Sequence, residues 1–260
     1  MTDYQFIDYS VANRVATIAL NTPDKLNAFH KTMRMELIDA VQQVERDDGV
    51  RIAILTGRGR SFSAGADLTE GKDDYPSFVE QCAAEYTPWL MGIHNSSKLY
   101  IAAVNGACAG IGTAAAMNCD LMVMADDAYI YQAFAAIGLM PDGGANWLLV
   151  HKLGYSRALQ LAVEAGSLTA NECLSYGIAN KVVPAAELEQ QARDWAETLA
   201  QGSPLSQSAT KNLMRRVPSL SYEETIKEES AMQNKMINSE DSVNAIESFF
   251  NKQKAVFKGR

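Results

Sequence analysis

The chain has 260 residues, 47% of them hydrophobic, enough for one large domain or two small ones around a sizeable core. Its 31 acidic residues outnumber 23 Lys plus Arg, for a net charge of -8, and no dense basic run occurs; this argues against a nucleic-acid surface. The opening Met-Thr-Asp-Tyr-Gln lacks a basic leader region, and the most apolar stretch, residues 100–117, is interrupted by Asn105 and rich in Gly and Ala. Neither a leader nor a membrane span is expected, and a soluble cytoplasmic protein is.

Short β-branched runs at residues 14–20, 51–56, 99–104, 121–125 and 128–132 predict strands of a mixed sheet. Between the first two, Met33, Leu37, Ala40, Val41 and Val44 recur at helical spacing, predicting a helix over 27–45 that stops before Asp47-Asp48-Gly49. The segment 71–98 opens with a polar Gly-Lys-Asp-Asp-Tyr-Pro. It then places Phe78, Cys82, Tyr86, Trp89, Leu90 and Ile93 on one stripe, as in a helix packed on the core. After Pro184 the chain turns helical and charged: Ser221 with Glu224 forms a capping box for a helix through Met236, and a second helix is expected over 242–254. No linker or internal repeat is visible, so a sheet-rich part, 1–200, runs on into a helical appendage, 201–260.

Cys82, Cys108, Cys119 and Cys173 form no CxxC pair and sit among apolar residues, which predicts buried free thiols. His30, His94 and His151 have no ligand spacing, so no metal is expected, and the absence of a GxSxG elbow disfavours a serine hydrolase.

Two glycine-rich turns stand out. Residues 57–68 follow a strand and pack small residues, Ser-Ala-Gly-Ala-Asp, where backbone N–H groups can point at a ligand. Residues 104–117 run from a strand through glycines into helix formers, so a helix N-terminus there offers unpaired donors and partial positive charge. Gly110-Ile-Gly112-Thr-Ala-Ala115 also fits the GxGxxA dinucleotide fingerprint, with Asp126 ending the next strand. Against that competitor, the motif lies deep in the chain, the helix to Asn118 is short for a crossover, and the first turn is left unused.

Together the motifs resemble those of the crotonase superfamily. Phe62-Ser-Ala-Gly-Ala-Asp-Leu68 is similar to its first signature, residues 101–120 to its second, and Gly138-Leu-Met-Pro-Asp-Gly-Gly144 follows at the family's spacing. Pro23-Asp-Lys-Leu-Asn-Ala28 resembles the N-terminal coenzyme A loop, and Gly177-Ile-Ala-Asn-Lys-Val-Val183 a later strand. The resemblance implies an α/β fold with a repeated ββα spiral core and a C-terminal helical region used in a homotrimer or dimer of trimers. It further implies an acyl-CoA thioester as substrate, no separate cofactor, and an oxyanion hole made by the amides of Ala66 and Ile111. The site by Ile111 is usually glycine in relatives, so its backbone angles must suit a β-branched residue. Family positions also imply substrate contacts from Lys25, Leu26, Ala64, Asp67, Leu68, Gly110 and Phe134, and from Phe249, Lys252 and Phe257 toward a neighbouring subunit's ligand.

Charge develops on the thioester oxygen when a proton leaves the adjacent carbon, and each preorganised donor there is worth roughly 3 kcal/mol. The family's hydratases use two glutamates; here those places are Ala114 and the Ala133-Phe134 dipeptide. A double-bond shift needs one base. Asp142, in Met-Pro-Asp-Gly-Gly, is the candidate, because a branch of enoyl-CoA isomerases carries its acid in this turn and the string also resembles ring-1,2-epoxyphenylacetyl-CoA isomerases. Phe134, Ala114 and Met140 would make its surroundings apolar. The competing role for Asp142 is a turn former or a cap for a helix starting near Asn146. Asp67 is expected to cap its turn, and Asp120, Asp126 and Asp127 to be structural or solvated. Beside the isomerase stand a hydratase working through other acids and a non-catalytic acyl-CoA-binding paralogue.

Overall fold

The computed structural model of the chain describes residues 4–70 and 75–260; Gly71-Lys-Asp-Asp of the polar opening lies outside them. Strands β1 (Ile7–Ala12), β2 (Val15–Leu20), β3 (Ile52–Gly57), β4 (Ser61–Ser63), β5 (Leu99–Val104), β6 (Ala107–Ala109), β7 (Leu121–Ala125), β8 (Tyr129–Tyr131), β9 (Ser167–Thr169) and β10 (Lys181–Val183) build two sheets, in the orders β1-β2-β3-β5-β7-β10 and β4-β6-β8-β9. The pairs β3/β4, β5/β6 and β7/β8 each give one strand to the first sheet and the next to the second. Neighbours stay parallel in both sheets across these steps. That is the repeated ββα spiral. Parallel strands are covered on both faces and so read as continuous apolar runs, as in β5, where only Leu99 is not buried.

The helices are α1 (Lys31–Arg46), α2 (Phe78–Gln81), α3 (Thr87–Asn95), α4 (Ile111–Asn118), α5 (Ala145–Leu153), α6 (Tyr155–Val163), α7 (Ala170–Ser175), α8 (Leu188–Ala200), α9 (Pro204–Arg216), α10 (Tyr222–Met236) and α11 (Glu240–Phe250). Among the described residues no helix is long and apolar enough to cross a membrane. Helix α1 starts four residues later than its periodicity suggests, because Leu26 and Asn27 take left-handed φ of 53° and 55° and His30 Nδ1 caps the first turn. The stripe from Phe78 to Ile93 is not one regular helix: a π-turn, Cys82–Tyr86, separates α2 from α3 and shifts the register. Tyr86, Trp89, Leu90 and Ile93 are buried, whereas Phe78 is 57% exposed. The expected capping box on α10 is present, but α11 begins at a Ser239 cap and ends at Phe250 rather than covering 242–254. All four cysteines are free; Cys82 is partly exposed, the others buried.

Helix α8 lies across β2, β3, β5 and β7. Helix α9, in the C-terminal part, is tied to the core by buried charge. Lys211 Nζ is 2.9 Å and Arg215 2.7 Å from the two Asp120 carboxylate oxygens, and Lys211 also donates to the carbonyls of Ile93 and Lys98. Asp120 is thus structural, as expected, and so is Asp126, which accepts from the Ala185 amide at 3.1 Å.

Candidate active site

Strand β4 runs into Ala64-Gly65-Ala66-Asp67, where Gly65 adopts φ 97°, a backbone shape costly for any side chain. The Phe29 amide donates to the Gly65 carbonyl at 2.7 Å and the Asp67 amide to the Phe29 carbonyl at 3.2 Å, making a one-residue parallel bridge between Phe29 and Ala66. In such a bridge the central residue's own N–H faces away from its partner. Ala66 is exposed, and among the described residues its amide has no acceptor. The loop carrying Lys25 and Leu26 is sewn to this turn by Asn27. The buried Asn27 side chain donates to the carbonyls of Arg58 (2.9 Å) and Ser61 (2.8 Å) and accepts from the Thr22 amide at 2.9 Å. Ala64 N also donates to the Leu26 carbonyl at 2.9 Å. Asp67 caps its own turn through Thr69 and pairs with Lys25 at 2.9 Å; Thr69 and Lys25 hold its carboxyl down at about 2.

At the second turn Gly110 takes φ 52° and Ile111 opens α4 with ordinary helical angles, so the β-branched side chain fits. As the first residue of a helix, Ile111 has no intrahelical acceptor for its N–H, and none is found among the described residues. The two turns touch. A Cβ placed on Gly65 would stand 3.1 Å from the Ala109 carbonyl oxygen and 3.5 Å from Gly110 Cα, while one on Gly110 would meet the Phe134 ring at 3.9 Å. Glycine at 65 and 110 therefore brings together the residues that carry the two candidate donors.

The third motif forms the turn before α5. The Asp142 carbonyl accepts from the Ala145 amide at 2.9 Å and Asn146 donates its side chain to the Pro141 carbonyl at 2.7 Å; Gly144 caps α5 without a side-chain bond. The Asp142 carboxylate is thus not used as the helix cap. Its Oδ1 is buried without a partner, and burial pushes the carboxyl up to about 6. The following Gly143 abuts Ile111 and Ala114, which places this acid's turn on the N-terminal turn of α4. Burial raises the Cys82 thiol and the Tyr86 hydroxyl of the π-turn, and the Asp142 charge adds a smaller push in the same direction to each. Phe134 and Ala114 are buried as expected, but Met140 is 71% exposed and faces outward from the turn rather than enclosing the acid.

A sequence model of the family described as enoyl-CoA hydratase/isomerase matches residues 10–260. The chain belongs to that family. It is 32% identical over 257 residues to the Rhodobacter capsulatus protein named "Probable enoyl-CoA hydratase", covering 99% of each. It is also 36% identical over 200 residues to the Escherichia coli K12 1,2-epoxyphenylacetyl-CoA isomerase, covering 75% of this chain and 76% of that one. The crystal structure of enoyl-CoA hydrates subunit I from Geobacillus kaustophilus HTA426 superposes over 100% of both chains with a TM-score of 0.93 at 30% identity. The crotonase-type fold expected from the motifs is therefore the fold of this member of the enoyl-CoA hydratase/isomerase family.

Not every residue anticipated from the family's motifs lies in this cluster within one chain. Phe249 is 78% exposed and its ring meets only Phe250 among the described rings, while Lys252 takes a left-handed φ of 54° just past α11. The segment that follows packs elsewhere: Arg51 donates to the Phe257 carbonyl at 2.6 Å, and Lys254 to Phe257 line a cleft with Arg14, Glu197 and Gln201. Leu68, by contrast, is 71% exposed beside the Ala66 turn. Two further clefts, of about 240 and 570 Å³, lie under α8 and between α5 and α9; neither is lined by Ala66, Ile111 or Asp142. The histidines have structural surroundings: His30 caps α1, His94 accepts from Arg215, and His151 stacks on Trp147. Among the described residues no group of three His, Cys, Asp or Glu could hold a metal ion.

Sequence reasoning missed Asn27, although an Asn beside a turn is a recognised taker of left-handed angles. It also missed Arg34, whose warning was a charge three and seven residues before Leu37 and Val41 on the buried face of α1.

Proposed function

We propose that the chain is an acyl-CoA isomerase that moves a double bond from the 3,4 to the 2,3 position, or rearranges a related acyl-CoA, through an enolate. The amides of Ala66 and Ile111 polarise the thioester oxygen. Asp142 takes a proton from C2 and returns it at C4, so no water is consumed and no second acid is needed. Coenzyme A enters as part of the substrate, along the turn and loop of Ala64, Asp67, Leu68, Lys25 and Leu26, with Gly110 and Phe134 beside the acyl group. Phe249 and Lys252 would serve a neighbouring subunit's ligand in a cytoplasmic homotrimer or dimer of trimers.

The observation that carries this reading is Asp142: one half-buried carboxylate, with one oxygen buried and unpartnered and its pKa lifted to about 6, in a turn seated through Gly143 on the helix that begins with Ile111. A carboxyl in this range shuttles a proton near neutral pH. Support also comes from the side chains where hydratases of the family have glutamates, the buried Ala114 and Phe134. The names of relatives extend to both chemistries, hydratase in Rhodobacter capsulatus and isomerase in Escherichia coli. The two are separated by giving the protein a 3-enoyl-CoA and, separately, crotonyl-CoA. Conversion of the first to the 2-enoyl isomer with no hydroxyacyl product from the second is expected; rapid water addition to crotonyl-CoA overturns the isomerase assignment.

A further inference from the structure

We infer that Arg34 is a positioning residue for this site, a single buried guanidinium that sets the Ala66 turn and the π-turn Cys82–Tyr86 relative to each other; the inference rests on the isomerase reading above. Arg34 projects from α1 and is 1% exposed. Its NH1 group donates to the Phe29 carbonyl at 2.7 Å, to Glu70 Oε2 at 2.8 Å and to the Tyr86 hydroxyl at 3.2 Å. Its Nε donates to Glu85 Oε2 at 2.8 Å, and NH2 lies 2.6 Å from the same oxygen.

The four acceptors belong to two walls, Phe29 and Glu70 to one and Glu85 and Tyr86 to the other. Phe29 is bridged to Ala66, and its carbonyl also takes the Asp67 amide, so the bond from Arg34 fixes the strand that turns the Ala66 N–H outward. Glu70 follows the same turn three residues after Asp67. Glu85 and Tyr86 lie in the π-turn, where burial raises the Tyr86 hydroxyl and the Asp142 charge adds a smaller push. A planar fork of five donors holds partners in fixed directions in a way that an ammonium or an apolar side chain does not.

Packing alone would favour another solution. Glu85 is fully buried and its Oε1 has no partner, so the cluster keeps an imperfectly satisfied carboxylate where apolar residues of similar volume would serve stability as well or better. The interruption of α2 and α3 by a π-turn at this point is the second departure from regular packing, of a kind that recurs at functional sites.

The test compares wild type with Arg34→Lys and Glu70→Gln, measuring kcat and KM for a 3-enoyl-CoA together with the unfolding temperature. Arg34→Lys keeps the charge and loses the fork, and a misplacement on the order of 1 Å lowers kcat about 100-fold; KM should change little. Glu70, 24% exposed, can lose its charge without a buried cavity, and Arg34 keeps Glu85 as a counter-charge, so Glu70→Gln should fold with a lower unfolding temperature while kcat per folded molecule falls about tenfold. If Arg34→Lys does not fold, Glu70→Gln decides alone. Unchanged kcat per folded molecule, with only the unfolding temperature moved, would make Arg34 a packing residue and overturn the inference. Wild type that fails on every 3-enoyl-CoA strikes the isomerase reading instead. The same variants are then compared by exchange of C2 hydrogens of a saturated acyl-CoA with D2O, and equal exchange rates overturn the Arg34 role.

Discussion

Gly143 rests on Ile111: a Cβ added to Gly143 would stand 2.7 Å from Cγ1 and 2.9 Å from Cδ1 of the isoleucine. The turn that carries the half-buried Asp142 is therefore seated on the side chain of the residue whose amide opens α4. A glycine at 111 would leave that seat empty.

Gly143→Ala tests that contact. The new methyl must push the turn off Ile111, and φ 60° is itself strained for alanine. Turnover should fall about 100-fold while acyl-CoA affinity holds. Trimming the seat in the double variant Gly143→Ala with Ile111→Ala should return part of the loss, measured as kcat for the two single variants and the double.

The pH dependence follows from Asp142. In the proposed reaction the base works only when ionised, and the Asp142 carboxyl is raised to about 6, so kcat/KM should fall about tenfold per pH unit below 6 and level off above. A profile from pH 4.5 to 8 checks this; a plateau reaching down to pH 4.5 would mean that a different, ordinary carboxylate limits the rate.

The same shift has a stability cost with a definite sign. Because the folded-state value lies above the ordinary 3.8, the protonated acid favours folding below that pH, and the benefit is lost as pH rises through about 6. At 1.36 kcal/mol per unit, the half-buried charge costs at most about 3 kcal/mol at pH 8, and solvent screening of its exposed part lowers that figure. Asp142→Asn should therefore stabilise the protein at pH 8 and barely change it near pH 3.5, read by urea unfolding at the two pH values.

The Asp120 cluster should behave in the opposite way. Asp120 is the shared counter-charge of Lys211 and Arg215, with side-chain exposures of 2% and 18%, and also accepts the Tyr100 amide at 2.8 Å. Asp120→Asn leaves those cations short of a partner and should cost about 3–5 kcal/mol of stability with kcat per folded molecule unchanged.

What could be read in advance was local. The α10 capping box needs residues three apart, and the glycine turns announce themselves by small residues after a strand, so these features were legible without coordinates. Asp142 was legible only through its motif, because Ile111 and Ala114, on which its turn rests, are distant in sequence. Strands β4 and β6 have three residues each, too few for a period to emerge, and β1 was passed over although it pairs along its whole length with β2. The π-turn was invisible because Phe78, Cys82 and Tyr86 also fit an unbroken helix. Arg34 and Asn27 matter through partners up to 52 residues away, a relationship that spacing does not reveal.

The most direct measurement is turnover of a 3-enoyl-CoA by wild type and Asp142→Asn, with acyl-CoA dissociation constants determined in parallel. Loss of a positioned acid–base group predicts a fall in kcat of about 10²- to 10⁴-fold with binding essentially unchanged. Full turnover by the asparagine variant, on substrate that binds as tightly as before, would contradict the account.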